Sequence, residues 1–146
     1  MNHSKMPATD FLYHITNPEN AHIIINEGLT MRPLSERRAN EKEGYSQMFP
    51  GESLEKINAA FFWDTENTAI NQIPLFFPQS LLSVEKIHLI NLGVEFSHDF
   101  CWTLENHVDN ATMVHSKTLN VLPGKLFNIL NHRIDKSTSW SQVVSP

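Results

Sequence analysis

Phe11-Leu12-Tyr13-His14-Ile15-Thr16, followed by Asn17-Pro18-Glu19-Asn20 and an apolar run ending at Glu27-Gly28-Leu29, is the stretch on which the fold turns. Aromatic and β-branched residues dominate its first part and an Asn-Pro pair closes it, so a strand is expected from Phe11 to Ile15. Alternation points Phe11, Tyr13 and Ile15 one way and Leu12, His14 and Thr16 the other. Helix signals follow at once. Asn17 is a capping residue, Pro18 fits a first turn, Glu19 favours the positive dipole end, and Gly28 is expected to close the helix in a left-handed conformation. Ala21, Ile24, Ile25 and Leu29 supply its core stripe. A histidine on a short, buried-looking strand just ahead of so tightly punctuated a helix is the chain's clearest hint of chemistry.

Working outward, residues 31–58 turn polar, with Pro33, Gly44, Pro50 and Gly51 interrupting any long pattern, and read as a long loop with one short helix around Ser35 to Glu43. Ala59-Ala60-Phe61-Phe62-Trp63 reads as a second buried strand, after which Asp64 or Thr65 caps a short helix through Ala69 and Ile70 that Pro74 must end or kink. Further strands are expected at Ile87 to Leu92, Phe100 to Leu104, Met113 to His115 and Thr118 to Leu122. Pro123-Gly124 marks a turn, and Lys125 to His132 reads as a short helix carrying Leu126, Ile129 and Leu130 inward. Strands in the second half are not separated by enough helix for regular parallel crossovers, which favours α+β with a mainly antiparallel or mixed sheet and a few short helices.

The chain has 146 residues, 40% hydrophobic and 18% charged, which suits one folded domain rather than a disordered chain. We expect a flexible N-terminus at 1–9, a domain at 10–134 and a polar C-terminal tail at 135–146. A formal charge of -5 argues against a broad electrostatic footprint for duplex nucleic acid, and the one local basic cluster is Arg32, Arg37, Arg38 and Lys42, interleaved with Glu36, Glu41 and Glu43. The single cysteine, Cys101, excludes an internal disulfide and any zinc site built on paired thiolates. No apolar run approaches the roughly 20 residues needed to cross a bilayer, and Met1 to Thr9 lack the apolar core of a secretion signal. No membrane partner is expected, and a cytoplasmic home is the simplest fit, though a chain secreted by a specialised machine without a cleaved signal would look the same.

The order of Leu12-Tyr13-His14-Ile15-Thr16, a helix ending in Glu27-Gly28-Leu29, and later Ala60-Phe61-Phe62-Trp63-Asp64 before a helix carrying Ala69 resembles the ADP-ribosyltransferase-like superfamily. The likeness is to its branch with a first-strand histidine. That branch includes poly-ADP-ribose polymerases, diphtheria-type and DNA-modifying ADP-ribosyltransferase toxins, RNA 2'-phosphotransferases and small domains with a Tyr-His-Ile-Thr opening. The first half of the chain carries it; the second half agrees in being strand-rich. The resemblance implies a split sheet holding NAD as substrate in a cleft, with His14 on the nicotinamide-side ribose and Tyr13 and Thr16 beside it. It also implies an aromatic residue on the second strand near the nicotinamide, for which Phe61 and Trp63 are the candidates where the usual residue is tyrosine. Finally it implies a glutamate on a later strand, which stabilises the cationic sugar as nicotinamide departs. Glu105 is the first candidate and Glu95 the second.

Arg32, a few residues past the first helix, could reach a diphosphate through charge-assisted hydrogen bonds, or be solvated surface. Structural readings stand beside the functional ones elsewhere too. His14 could be a hydrogen-bonded structural histidine, Thr16 could cap the turn, and Phe62 and Trp63 could be core. Other chemistries fit less well. The eight histidines show no His-Glu-x-x-His spacing, and a metal site would need distant residues such as His98, Asp99 and His107, so none is expected. No phosphate-binding loop or Gly-x-Ser-x-Gly elbow is present. Two functions therefore remain: NAD-dependent ADP-ribosyl transfer to a protein or nucleic-acid acceptor, or a catalytically inactive domain of the same fold that binds a nucleotide, nucleic acid or protein.

Overall fold

The computed structural model describes residues 10–72, 78–99 and 111–134. Strand β1 (Phe11–Thr16) and helix α1 (Pro18–Glu27) form where the local signals place them, with Asn17 accepting a hydrogen bond from the Asn20 N–H at 2.7 Å. Ala21 and Ile24 of α1 are buried, and Ile25 packs against the same core. Gly28 ends the helix through its N–H on the Ile24 carbonyl, but at φ 99° and ψ 166° it is not the left-handed cap expected; it turns the chain straight into an extended segment. That segment contains β2 (Leu29–Thr30), which pairs with the later β8 (Val121–Leu122), and β3 (Arg32–Pro33).

Residues 31–58 are far more ordered than their polarity suggests. Helix α2 (Ala39–Met48) lies there, longer and later than the helix expected around Ser35 to Glu43, and two 3-10 turns, Leu34–Glu36 and Leu54–Lys56, flank it. A narrow stripe of Glu41, Tyr45 and Met48 holds α2 to the domain, which is why charged residues could fill the rest of it. Strand β4 (Asn58–Trp63) follows, and Thr65 caps α3 (Glu66–Asn71) by accepting from the Thr68 N–H.

Three expected elements differ. Ile87 to Leu92 is not a strand: it belongs to helix α4 (Lys86–Leu92), which buries Leu89 and stops at Gly93 in the left-handed region, while the strand β5 (Gln79–Glu85) precedes it. A six-residue apolar run does not distinguish the two periodicities, and the Gly93 stop decides for helix. Lys125 to His132 is not a helix either. A 3-10 turn at Gly124–Leu126 leads into strand β9 (Phe127–Ile134), which pairs along the outer edge of β5, so sheet pairing overrides local pattern. Of the stretch Thr118 to Leu122, only β8 is strand. Strand β6 (Glu95–His98) was not anticipated, β7 (Ala111–Ser116) contains the expected Met113 to His115, and the strand expected at Phe100 to Leu104 lies outside the described residues, as do 1–9 and 135–146.

The result is an α+β fold whose main sheet runs β6-β7-β4-β1-β5-β9 with every pairing antiparallel and β3 added against β4. One face carries the larger core, built from Leu12, Ile24, Ala60, Phe62, Leu82, Val84, Leu89 and Val114. The other carries a second core of Leu34, Tyr45, Met48, Ile57, Ala59 and Met113 beneath α2. No helix among the described residues is long and apolar enough to cross a membrane.

The C-terminal end of α1 is pressed onto the turn after β8. A Cβ on Gly124 would overlap the carbonyl oxygens of Ile24 and Ile25, whereas one on Gly51 would meet nothing within 4 Å. Gly124→Ala is therefore expected to cost about 3 kcal/mol by overpacking against backbone that cannot yield. Gly51→Ala should cost only the roughly 1–2 kcal/mol of its positive φ. Urea unfolding of the two variants checks the difference, and equal midpoints would contradict this packing.

Candidate functional site

Strands β1 and β4 are in register at a single pair, Tyr13 with Trp63, whereas β4 pairs with β7 along its whole length. At the far end of the same edge of β4, β3 takes the place of β1, opposite Asn58 and Ala59. Between these two contacts the edge of β4 has no strand partner among the described residues. His14 fills part of the gap, since its Nδ1 lies 3.0 Å from the Phe61 carbonyl oxygen. A carbonyl only accepts, so Nδ1 carries the proton and Nε2 of the neutral ring keeps its lone pair. Burial pulls the His14 imidazole below its ordinary value, and the Phe61 hydrogen bond opposes this less strongly. The ring also packs at a tilt on Phe62, 5.6 Å between centroids.

A cleft of about 230 Å³ opens at this gap. His14 and Ile15 come to it from β1, Phe61, Phe62 and Trp63 from β4, and Ala111 from β7. Its other wall is Arg37, Arg38, Glu41, Tyr45 and Asp99. Glu41, on the first turn of α2, accepts from both arginines: from Arg37 Nε and Nη2 at 3.2 and 2.7 Å, and from Arg38 Nε at 2.8 Å. Burial alone would push the Glu41 carboxyl up. Hydrogen bonds from Arg38 and Arg37, with their charges, outweigh it and hold the group below the usual carboxylate range. One turn further along α2, the buried Tyr45 donates to Asp99 Oδ1 at 3.2 Å and packs on Phe61 at 6.1 Å between centroids. The Arg37 guanidinium lies 4.5 Å over the Phe61 ring.

Of the residues singled out in the sequence, the structure brings His14, Phe61 and Trp63 to one cleft. It does not bring the others there. Tyr13 does not line it although its register partner Trp63 does, and its phenol is pushed up by burial and by the Glu66 charge. Thr16 belongs to the turn into α1, its Oγ1 accepting from Asn20 Nδ2 at 2.7 Å. Arg32 is 70% exposed and pairs with Glu36, because β3 aligns it with Ala59 at the other end of β4. Glu95 lies near His115 in a separate hollow of about 70 Å³, and Glu105 lies outside the described residues. Reading the sequence named Arg37 and Arg38 only as part of a basic cluster interleaved with Glu41, named Asp99 only as a distant metal-ligand possibility, and passed over Tyr45. The signal for four of them was the acid-base spacing of Arg37, Arg38 and Glu41 followed by Tyr45 four residues later, which puts Glu41 and Tyr45 on one helix face.

A second histidine, His115 on β7, is buried with Nε2 2.8 Å from Ser97 Oγ and its ring edge-on to Phe49. Burial lowers its affinity for a proton, with Glu95 and Glu52 opposing and Lys117 assisting. Deeper in, Thr112 donates a hydrogen bond to the buried Asp64. No protein-family model, curated protein or solved structure matches the chain.

Both lowered histidines make the same acid-side prediction. Below pH of about 6.5 the unfolded imidazole takes up a proton that the folded ring resists, so stability is complete above that pH and declines as pH falls towards the folded values. Imidazole resonances of His14 and His115 should titrate below about 6.5, and His115→Gln should lessen the acid-side loss. Midpoints at or above that value would contradict the burial argument.

Proposed function

We propose that the cleft binds NAD and that the protein transfers ADP-ribose from it to a macromolecular acceptor, a protein or a nucleic acid. The observation that carries this reading is the opening of an antiparallel sheet between β1 and β4 at His14, with Phe61 and Trp63 lining the same opening. Nε2 of a neutral His14 is an acceptor for a ribose hydroxyl, and Trp63 offers an aromatic surface beside it. The volume is below the about 300–1,000 Å³ of pockets for drug-sized ligands, so it suits a heterocycle with one sugar, with the adenylate half lying along the surface outside. In the reaction the bond from the ribose to nicotinamide breaks, nicotinamide leaves with the bonding pair, and the acceptor nucleophile takes its place. A carboxylate near the cationic sugar would lower that barrier. Glu41 is poorly suited, since two guanidiniums already neutralise it; Glu105 keeps the role in this proposal.

One observation favours the second reading, a domain that binds a nucleotide, nucleic acid or protein without catalysis. The residue that β7 brings to the cleft is Ala111, which has no carboxylate, and Phe61 has no hydroxyl.

Nicotinamide release from NAD, followed with purified protein and with cell extract supplied as acceptor, separates the two. The transferase reading expects release that His14→Ala and Glu105→Gln each reduce at least about tenfold, with Glu105→Gln leaving NAD affinity unchanged. Circular dichroism guards against unfolding in the His14 variant, which leaves the Phe61 carbonyl without its partner. A folded parent that binds NAD but releases no nicotinamide removes the transferase reading; one that does not bind NAD removes NAD as the ligand.

A further inference from the structure

Arg37 is held more firmly than an ion pair requires. Its Nε and Nη2 edge is taken by Glu41, and its plane rests on the Phe61 ring. Glu41 is in turn fixed by Arg38, so Arg37 is clamped at an edge and a face by groups that are themselves held. Its remaining nitrogen, Nη1, makes no hydrogen bond among the described residues, and the side chain lines the cleft at 39% exposure. A planar fork with two edges, one fixed by the protein and one facing a cleft, is a preorganised donor for an anion with two oxygens. The wall also carries two guanidiniums against the one carboxylate between them, while Asp99, the other described carboxylate of the cleft, is drawn to Tyr45.

The same contact decides where a ligand ring goes. The guanidinium and Tyr45 crowd the Phe61 ring, so that ring is occupied from within the protein. Trp63 projects from the same face of β4 two residues on, about 7 Å away along a strand. An aromatic heterocycle at Trp63 and an anion at Arg37 are thus separated by roughly the span of one ribose. We propose that Arg37 is the phosphate-binding residue of the cleft and that the cleft selects nucleosides carrying a 5'-phosphate over the bare nucleosides. This rests on the nucleotide reading above and assigns the anion contact to Arg37, at the opposite end of β4 from the exposed Arg32.

Calorimetric titration of the full chain at low salt tests it with two matched pairs: nicotinamide riboside against nicotinamide mononucleotide, and adenosine against adenosine 5'-monophosphate. At least one 5'-phosphate should bind about tenfold or more tightly than its nucleoside, the gain of a charge-assisted bidentate contact. Arg37→Gln should bring the ratio to within about twofold while nucleoside affinity holds. Arg32→Gln should leave it intact. Arg37→Lys keeps the ion pair with Glu41 but loses the fork, and should lower the ratio even if the glutamine variant fails to fold. Equal affinities within both pairs, no binding of either phosphate by the folded parent, or a ratio that survives in a folded Arg37 variant overturns the proposal. An Arg37-dependent preference for adenosine 5'-monophosphate with no binding of nicotinamide mononucleotide or NAD would keep the phosphate contact and remove the NAD reading. Release of nicotinamide from NAD with a ratio indifferent to Arg37 would do the reverse.

Discussion

A single side chain-to-backbone hydrogen bond, from His14 Nδ1 to the Phe61 carbonyl, gives that carbonyl a partner where the central sheet opens. Buried backbone carbonyls require partners, and an antiparallel sheet normally supplies them by continuing its ladder. Here the ladder between β1 and β4 has one registered pair, and β3 closes the other end of the β4 edge. The imidazole reaches across the interval that neither strand covers. An apolar residue at this position would fill the space but leave Phe61 without the bond, at a cost of about 1–3 kcal/mol. The opening therefore depends on a polar side chain long enough to span it and rigid enough to stay.

Because the sheet opens, its two halves must be anchored separately. The β1-β5-β9 half is held by α1, whose end meets the Gly124 turn at backbone contact, and by α4 through Leu89. Phe62 spans the halves, since it packs on His14 from one side and stacks near Phe127 from the other at 6.4 Å between centroids. The β6-β7-β4 half carries the second core, and α2 covers it through Tyr45 and Met48. Polar groups then accumulate at the one place where neither core reaches. Glu41 is 8% exposed and would be expensive there as an isolated charge. Two guanidiniums reverse that balance, and the net direction of its proton affinity shows that pairing wins over burial.

The legible part of this fold was the part encoded by residues within one turn of one another. Asn17, Pro18 and Gly28 delimit α1, and Thr65 starts α3, by chemistry that needs no distant partner. Alternation likewise separated His14 from Tyr13 and placed Phe61 with Trp63 on one face of β4. What escaped depends on remote contacts. Strand β5 has Ser80, Leu81, Leu82, Ser83 and Val84 all buried, so no alternation marks it. Strand β9 has a helical spacing of apolar residues yet extends because β5 offers it an edge. Helix α2 was read too early, around Ser35 to Glu43, because only three of its ten residues are buried and its apolar stripe is thin. The cleft's charged wall lies on and beside α2, so the sequence showed Arg37 and Glu41 only as interleaved charges and put the diphosphate contact on Arg32.

His14 itself shows how far structure and function can be separated in such a site. Its Nδ1 is committed to Phe61, and that bond accounts for a polar residue at this position without any ligand. It does not account for the company the residue keeps. A histidine that only closed a gap in a sheet would be served as well by a fully apolar surround. Instead the gap is bordered by Arg37, Arg38, Glu41 and Asp99, four ionisable groups gathered beside Phe61 and Trp63. Concentrating charge at a partly dry opening is costly unless each group is held, and Glu41 and Tyr45 hold three of the four from a single face of one helix. With Nδ1 committed to Phe61, Nε2 is the polar atom that the neutral ring keeps beside that arrangement.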